Sequence, residues 1–301
     1  MNNRYLNFFK YYSSPGMVVF EVALALGVEL VLRRTGVSLA ALLFYRSLLA
    51  LIVLALYLMP ARVAWTPMAP GLATLRVITG GLFYVGWFGS IGTVSARVSA
   101  AVLLLDSLLL ALFRRERHAY ERFTIAVLAL SLIVFAAFAI REPGTVTNLG
   151  RGLLFLAIAL VSRAASYKVW ERSQQCQEHL FWLIAPSLIG GTLGGLALGR
   201  LTVQALTAET FSAVLLLAVI GVIGYFYMNE VMRTVGAFYC RVIELWQVPA
   251  LWLLHLPLDR AHPDLVQGTT SLLVAAASAL TYGRHLRAAA AAKVDSGRSS
   301  G

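Results

Sequence analysis

The clearest linker in the chain lies at residues 141–150 and reads REPGTVTNLG. Pro143, two glycines and several polar side chains interrupt the apolar pattern that continues on both sides of it. Five apolar runs precede this linker and five follow it. The sequence therefore predicts two five-helix units, over residues 1–143 and 144–287, and a disordered cytoplasmic tail over residues 288–301.

The composition predicts that most of the surface faces lipid. Of the 301 residues, 59% are hydrophobic and only 13% are charged, and the mean hydropathy is +0.76. Soluble domains carry about 25% charged residues. Because a membrane helix uses roughly 20 residues, we expect an all-α polytopic membrane protein with ten transmembrane helices and no soluble catalytic domain. The predicted spans are 16–33, 38–58, 71–90, 97–113, 123–140, 151–169, 180–198, 211–230, 236–254 and 266–283.

The distribution of basic residues predicts the orientation of these spans. The net charge is +11 and the pI is about 10.0, which by itself suggests nucleic-acid binding. With the N terminus placed in the cytoplasm, however, 14 of the 25 Lys and Arg residues fall on the cytoplasmic side and 6 on the other side. This bias follows the positive-inside rule. We therefore expect a protein of the cytoplasmic (inner) membrane with both termini in the cytoplasm and no nucleic-acid partner.

The two halves resemble each other weakly. Glu116-Arg117 follows the fourth span, and Asp259-Arg260 follows the ninth span. At the same offset, Asp106 in span four corresponds to Pro249 in span nine. Because five is odd, the second unit must lie upside down relative to the first. Such inverted-topology repeats are typical of secondary transporters, whose substrate site lies near the midplane between the repeats.

Three stretches of the chain resemble the drug/metabolite transporter superfamily, in its ten-span EamA-type branch. Residues 27–51 read GVELVLRRTGVSLAALLFYRSLLAL, residues 88–123 read FGSIGTVSARVSAAVLLLDSLLLALFRRERHAYERF, and residues 234–268 read TVGAFYCRVIELWQVPALWLLHLPLDRAHPDLVQG. The family positions that they match are Arg46, Glu116, Pro249, Asp259 and Gly268. The resemblance covers most of the chain and implies ten helices and a secondary transporter, commonly an exporter.

The chain departs from that family pattern at two positions. The proline of span four is replaced by Asp106, and the tryptophan found early in span one is absent. The resemblance therefore implies the fold more strongly than it implies a substrate.

Ionisable residues at membrane depth are the candidate functional residues. Each costs roughly 2.5–3.5 kcal/mol on insertion scales, so we expect them to face a water-filled cavity or one another. They are Glu21, Glu29, Arg46, Arg76, Arg97, Asp106, Arg163, Glu230, Arg241 and Glu244.

Asp106 is the most informative of these residues, because it lies within VLLLDSLLLALF and its side chain is too short to reach the membrane surface. It could bind a cationic substrate or take up a proton. The alternatives are a structural ion pair with Arg46 or Arg97, or a protonated carboxyl bonded to a helix carbonyl.

Two pairs of charged residues have helical spacing. Arg241 and Glu244 are three positions apart and share a helix face, so they predict either mutual neutralisation or substrate contact. Glu21 and Glu29 are eight positions apart and project from one broad face of span one. Glu29 can also pair with Arg33, one turn further on.

The remaining candidates each have a functional and a structural interpretation. Arg46 could hold a carboxylate or phosphate by a bidentate contact, or it could stabilise the bundle. Pro249 predicts a kink in span nine that could act as a hinge, or it is a tolerated membrane-helix proline. Five aromatic residues could line a cavity and stack on a ligand, or they could serve packing: Tyr84, Trp87, Tyr225, Tyr239 and Trp246.

These observations predict a secondary transporter of a small polar or amphipathic metabolite such as an amino acid, with proton coupling through Asp106, Glu29 or Glu244 as one option. A P-loop, a nucleophile constellation and metal-ligand spacing are all missing from the sequence, so we expect no enzyme, no cofactor and no metal. The alternatives are a non-transporting scaffold or accessory subunit, and a lipid-head-group translocator. The expected partners are the small-molecule substrate and the lipid bilayer, and the chain is expected to be a monomer or a homodimer.

Overall fold

A computed structural model describes residues 3–58, 66–112, 119–141, 146–259 and 264–298. These residues form ten helices. Within those ranges no strand occurs. The helices are α1 (Asn3–Arg34), α2 (Leu39–Leu58), α3 (Pro70–Leu103), α4 (Asp106–Leu112), α5 (Ala119–Arg141), α6 (Leu149–Gln175), α7 (Leu180–Leu198), α8 (Ala208–Glu244), α9 (Gln247–Asp259) and α10 (Leu265–Arg298).

Many of these helices are suited to a bilayer. Among the described residues, seven stretches are long and apolar enough to cross a membrane, and the apolar part of α5, Ile125–Phe138, is shorter. Large apolar side chains such as Val19, Leu216 and Leu272 are well exposed on the outer surface, as lipid contact requires. The structure confirms the predicted class, an α-helical multi-pass membrane protein.

Helices α3 and α8 contain matching breaks. Ser95 in α3 has φ +73°, and Gly236 in α8 has φ +78°. A second interruption follows at Leu104–Leu105 and at Leu245–Trp246, and the interval from Leu104 to Leu245 equals that from Ser95 to Gly236. The predicted continuous spans 97–113 and 236–254 are therefore wrong in this detail, because a turn divides each into two short helices.

Pro249 is not the site of the break in the second half. It lies in the first turn of α9, where a backbone N–H has no intrahelical partner in any case, so proline is tolerated there. The interruption precedes it, and the carbonyl of Leu245 accepts a hydrogen bond from the N–H of Val248 at 3.2 Å. The break is formed by the turn before α9, which corrects the prediction of a kink at Pro249.

The positions of these breaks also correct the alignment of the two halves. Asp106 is the first residue of α4, and Gln247 is the first residue of α9. The interval between them in the sequence is the same as that between the two positive-φ positions. Asp106 therefore corresponds to Gln247 and not to Pro249. The sequence comparison aligned it with Pro249 because the residues around both positions are apolar and match almost equally well after a small shift.

The C-terminal helix is longer than predicted. α10 continues to Arg298 through the run of alanines at 288–292, and alanine has the highest helix propensity. The prediction of a disordered tail from residue 288 is thus corrected as far as Arg298. Glu116 lies outside the described residues, and the described structure of Asp259 is limited to its place in α9.

Helix packing follows the same spacing of five elements. α3 contacts α6, α7 and α5. α8 contacts α1, α2 and α10, which lie five elements away from α6, α7 and α5 respectively. The contact of α4 with α6 matches that of α9 with α1. α2 packs on α7 and α5 packs on α10, so these contacts join helices that hold the same place in the two halves. α3 and α7 approach each other closely at Gly81 and Gly190, where a methyl group would overlap backbone atoms.

The first break carries a serine and the second a glycine, and the effect of this difference on stability can be tested. Ser95 has the φ and ψ of a region that only glycine adopts readily, which costs about 1–3 kcal/mol. Its buried hydroxyl also has no hydrogen-bond partner among the described residues. Ser95→Gly should therefore raise the Tm of the purified protein in detergent. The net gain in the free energy of unfolding is the strain relieved minus the roughly 0.5–1 kcal/mol that the conformational freedom of glycine costs.

The reverse exchange should act in the opposite direction. Gly236→Ser places a side chain at φ +78°, where its Cβ would lie 3.3 Å from a Glu171 carboxylate oxygen, and should lower the Tm. Gly283→Ser is the control, because a Cβ there meets no atom within 4 Å. A lower Tm for Ser95→Gly would contradict the assignment of strain at this break.

Candidate functional site

A cavity lies at the centre of the bundle, between α1, α2, α3, α6, α7 and α8. Its volume is about 60 Å³, which is room for only a few water molecules in this conformation. Its wall combines aromatic and aliphatic side chains with a few polar groups. The charged and hydroxyl-bearing lining residues are Glu21, Arg46, Tyr84, Arg163, Ser166, Tyr167, Ser187 and Tyr225.

Many residues of this wall occupy corresponding positions in the two halves. The hydroxyls of Tyr84 and Tyr225, which are 141 positions apart, hydrogen-bond to each other across the cavity. A carboxylate oxygen of Glu21 lies 3.3 Å from a guanidinium nitrogen of Arg163, which follows it by 142 positions. Further lining pairs at these two offsets are Leu24 with Ser166, Arg46 with Ser187, Phe83 with Gly224, and Trp87 with Met228.

Five charged residues form a network beside the cavity, here called the charge network: Glu21, Asp106, Arg163, Arg241 and Glu244. Arg163 lies 2.7 Å from Glu244, 3.3 Å from Glu21 and 3.9 Å from Asp106. Arg241 donates to Asp106 at 2.8 Å and contacts Glu244. Glu21 is the member that is partly accessible, with 13% of its side chain exposed, whereas the other four are almost fully buried.

Neutral donors complete this network. The hydroxyl of Tyr167 donates to Glu244, and the amide of Gln247 donates to Glu21. Buried carboxylates are tolerated only when they are paired and hydrogen-bonded in this way. Gln247 could have been found in the sequence by alignment with Asp106, but no sequence signal marks Tyr167.

The structure decides between the sequence alternatives for the charged residues of spans four and nine. Arg241 and Glu244 do contact each other, which confirms that part of the prediction. Asp106 pairs with Arg241 and Arg163 rather than with Arg46 or Arg97. The reason is the contact of α4 with both α6 and α8, which brings arginines of the second half to a carboxylate of the first.

Arg46 differs from Arg163, the other arginine that lines the cavity. It lines the cavity, and its side chain is completely buried. Its Nε and Nη1 atoms have no hydrogen-bond partner in the described part of the chain, and no carboxylate of that part pairs with it. The guanidinium lies 4.8 Å from the ring centre of Tyr84 and 5.7 Å from that of Phe88.

Arg76 carries a second positive charge directly behind the cavity wall. Its Nη2 donates to the hydroxyl of Ser187 at 2.9 Å, and its guanidinium lies 4.1 Å from the ring centre of Trp170. Its Nε and Nη1 lack a hydrogen-bond partner among the residues described. The sequence marked Arg76 only as one of several buried charges.

Glu29 lies in a separate cluster, away from the cavity wall. It accepts from the backbone N–H of Ala96 at 3.1 Å, immediately after the break in α3. It also lies 2.8 Å from Arg33, which confirms the predicted pairing, and 3.0 Å from Nε2 of His255. These contacts tie α1 to the segment that follows Ser95.

The second half has a counterpart of this cluster that the sequence analysis missed. Glu171 of α6 accepts from the backbone N–H of Ala237 at 3.4 Å, immediately after the break in α8. It is paired with Lys168 at 2.8 Å. Glu171 follows Glu29 at the same interval in the sequence that separates Arg163 from Glu21. This shared interval was the signal that could have identified it.

Three more predicted residues complete the comparison with the sequence. Trp87 lines the cavity as predicted and stacks on Phe83, with ring centres 5.3 Å apart. Trp246 lies elsewhere, 44% exposed in a second hollow beside Val19 and Tyr282, because it occupies the turn before α9. Arg97 is buried in the short segment after Ser95, outside the cavity wall as the described residues define it. Within the same ranges, no three His, Cys, Asp or Glu side chains lie close enough to hold a metal ion.

Comparison with known proteins identifies a shared fold. No family model matches the chain, and no curated protein matches it in sequence. Solved structures do match it, 26 chains in all. One crystal structure superimposes with a TM-score of 0.58 at 16% sequence identity, over 90% of this chain and 96% of the other. At this level of identity the likeness shows the fold alone.

Proposed function

We propose that the protein is a secondary transporter that carries a small polar or amphipathic metabolite through the central cavity. The observation that carries the proposal is a cavity wall built from corresponding residues of the two halves, with the buried charge of Arg46 in it. Secondary transporters built from inverted repeats place their substrate site at such an interface. The resemblance to the drug/metabolite transporter superfamily supports the same activity.

The proposal includes ten membrane crossings arranged as two inverted five-helix repeats. The apolar stretch Ala208–Pro257 contains 50 residues, which is more than twice the roughly 20 residues of one crossing. The break at Gly236 divides it into two crossings, and Ser95 divides the corresponding stretch of the first half. The matching helix contacts of the two halves and the hydrogen bond between the hydroxyls of Tyr84 and Tyr225 support a pseudo-twofold axis through the cavity.

Two alternatives make different demands on the same residues. A scaffold or accessory subunit is expected to have all of its buried charges paired and a filled centre, which disagrees with the cavity and with Arg46. A lipid-head-group translocator could also use Arg46, since a phosphate and a carboxylate are bound by the same guanidinium geometry. It therefore remains an outcome of the test.

Proton coupling is proposed to act through the charge network. Asp106, Glu29 and Glu244 were the sequence candidates for the proton site, and in the structure all three are buried and paired. Glu21 connects the network to the cavity, because it lines the cavity wall and contacts Arg163. A proton that enters from the cavity therefore meets Glu21 first.

Uptake into liposomes tests the proposed function. Liposomes with and without the purified protein are given radiolabelled amino acids, nucleosides, polyamines and sugar phosphates, and we expect protein-dependent accumulation of at least one class. Repeating the measurement with an imposed proton gradient tests coupling, and identical rates would remove it. Movement of a fluorescent phospholipid without solute uptake would favour the translocator, and neither activity would favour the scaffold.

A further inference from the structure

We infer that the central cavity binds a small organic anion, with a carboxylate against Arg46 and a flat apolar body against the aromatic wall. This inference rests on the proposed function for the role of the cavity and deepens it, because it names the substrate class. Binding to the purified protein can be measured without transport, so the two can fail separately.

The carboxylates beside the cavity are already bound by the protein. Glu21, Asp106 and Glu244 accept hydrogen bonds or ion pairs from the two arginines of the charge network and from Tyr167 and Gln247. A cationic ligand would have to displace one of these buried contacts. The ammonium group of a zwitterion would meet the same obstacle, so neither class is favoured.

The arginines outside the network have the opposite need. Arg46 and Arg76 are completely buried, and within the described ranges two nitrogen atoms of each have no hydrogen-bond acceptor. A carboxylate offers a planar pair of oxygens that matches a guanidinium bidentately. The charge network contains three acids and two arginines, so it carries one net negative charge. Arg46 and Arg76 add two positive charges, and the one positive charge that remains is neutralised by a monoanion.

Ser187 gives the anion a second contact. Its hydroxyl oxygen accepts from Nη2 of Arg76 at 2.9 Å and lines the cavity. Because a hydroxyl donates one hydrogen bond while it accepts others, the O–H of Ser187 can donate to an anion in the cavity. Arg76 is thus a positioning residue, which acts through Ser187.

The rest of the wall selects the body of the ligand. Phe83 and Trp87 stack on each other with an interplanar angle of 15°, and Phe20, Leu24 and Ile220 add further apolar surface. A flat or branched hydrocarbon body buries itself against such surface without polar partners. An aromatic carboxylic acid therefore fits better than a sugar acid or free phosphate.

Gly221 sets the position of the Arg46 guanidinium. A Cβ atom at Gly221 would overlap Nη2 of Arg46 and lie 2.9 Å from its Cζ. Since the guanidinium is fully buried and the cavity measures only about 60 Å³ in this conformation, the anion is bound when neighbouring side chains move apart. Gly221→Ala therefore displaces the guanidinium and keeps its charge, which separates the geometry of this site from its electrostatics.

The binding test uses four probes with the full-length protein in detergent: 3-phenylpropionate, phenylalanine, phenethylamine and inorganic phosphate. The three organic probes share one body and differ in head-group charge. Titration calorimetry should show the tightest binding for 3-phenylpropionate and none for phenethylamine. Arg46→Gln should weaken it by about tenfold or more, while the surface control Arg151→Gln should leave it unchanged.

A second variant keeps the test decisive if Arg46→Gln does not fold. Gly221→Ala should weaken 3-phenylpropionate binding as well, whereas Gly283→Ala, where a Cβ meets open space, should not. Tightest binding of phenethylamine or phenylalanine, tightest binding of inorganic phosphate, or no binding at all would overturn the inference. Binding that both site variants leave unchanged would also overturn it. Anion binding without uptake into liposomes would contradict only the proposed function, and uptake of cations alone would contradict only this inference.

Discussion

Arg163→Met should leave little folded protein. Arg163 contacts Glu244 at 2.7 Å, Glu21 at 3.3 Å and Asp106 at 3.9 Å, and it is almost completely buried. Without it, three carboxylates share the single charge of Arg241. Removal of one partner from a buried ion pair costs about 3–5 kcal/mol, which is a large part of the stability of a typical protein. We expect a large loss of monodisperse protein in size-exclusion chromatography and a clearly lower Tm.

Two further variants show whether this loss has an electrostatic cause. Glu244→Gln in the same chain restores the wild-type excess of one acid over the bases of the network, so the double variant should recover part of the lost stability. Arg151→Met removes an exposed arginine from the same helix and should change the stability by at most about 0.5 kcal/mol. Equal stability of Arg163→Met and Arg151→Met would contradict the structural role of the network.

Asp106→Asn should give a folded protein that transports poorly. Asparagine keeps the shape of the side chain, and the amide of Gln247 occupies the corresponding first position of α9. Arg241 also retains its contact with Glu244. However, Asp106 is the carboxylate that both arginines of the network share, at 2.8 Å and 3.9 Å. Its neutralisation leaves Arg163 and Arg241 to compete for the remaining acids and draws Glu21 away from the cavity.

The expected effect is a fall in uptake of about tenfold or more, equivalent to roughly 1.4 kcal/mol, measured in liposomes with matched amounts of protein. Ser107→Ala is the control, because Ser107 is the next residue of α4 and its hydroxyl bonds only the nearby carbonyl of Leu104 among the described residues. It should transport like the wild type. Unchanged uptake by Asp106→Asn would exclude a role of this carboxylate in transport.

The fold class could be predicted from the sequence because bilayer thickness sets the length of each apolar run. The spans predicted at 38–58 and 180–198 agree closely with α2 (Leu39–Leu58) and α7 (Leu180–Leu198). The interruption at Leu104–Leu105 could not be predicted in this way, since both residues are apolar and the adjacent Asp106 is equally compatible with a buried charge in a continuous helix. Ser95 likewise has no intrinsic preference for a positive φ, so that break depends on tertiary contacts.

The candidate site could be predicted only in part. Buried charge identified Arg46, Glu21, Asp106 and Arg163 as residues that need a partner or a cavity. Which of them pair depends on the helix faces that meet, and helix packing is not encoded in the spacing of one helix. For that reason the partnership of Asp106 with Arg241 emerged only from the contact between the halves.

The corresponding positions around the cavity have one further consequence. Under the proposed pseudo-twofold arrangement, the backbone would offer a ligand two equivalent poses. The side chains remove that equivalence, because Arg46 is matched by Ser187, and Glu21 by Arg163. We therefore expect a polar molecule in the cavity to bind with one defined end toward Arg46, although the proposed arrangement of the surrounding helices is nearly symmetric.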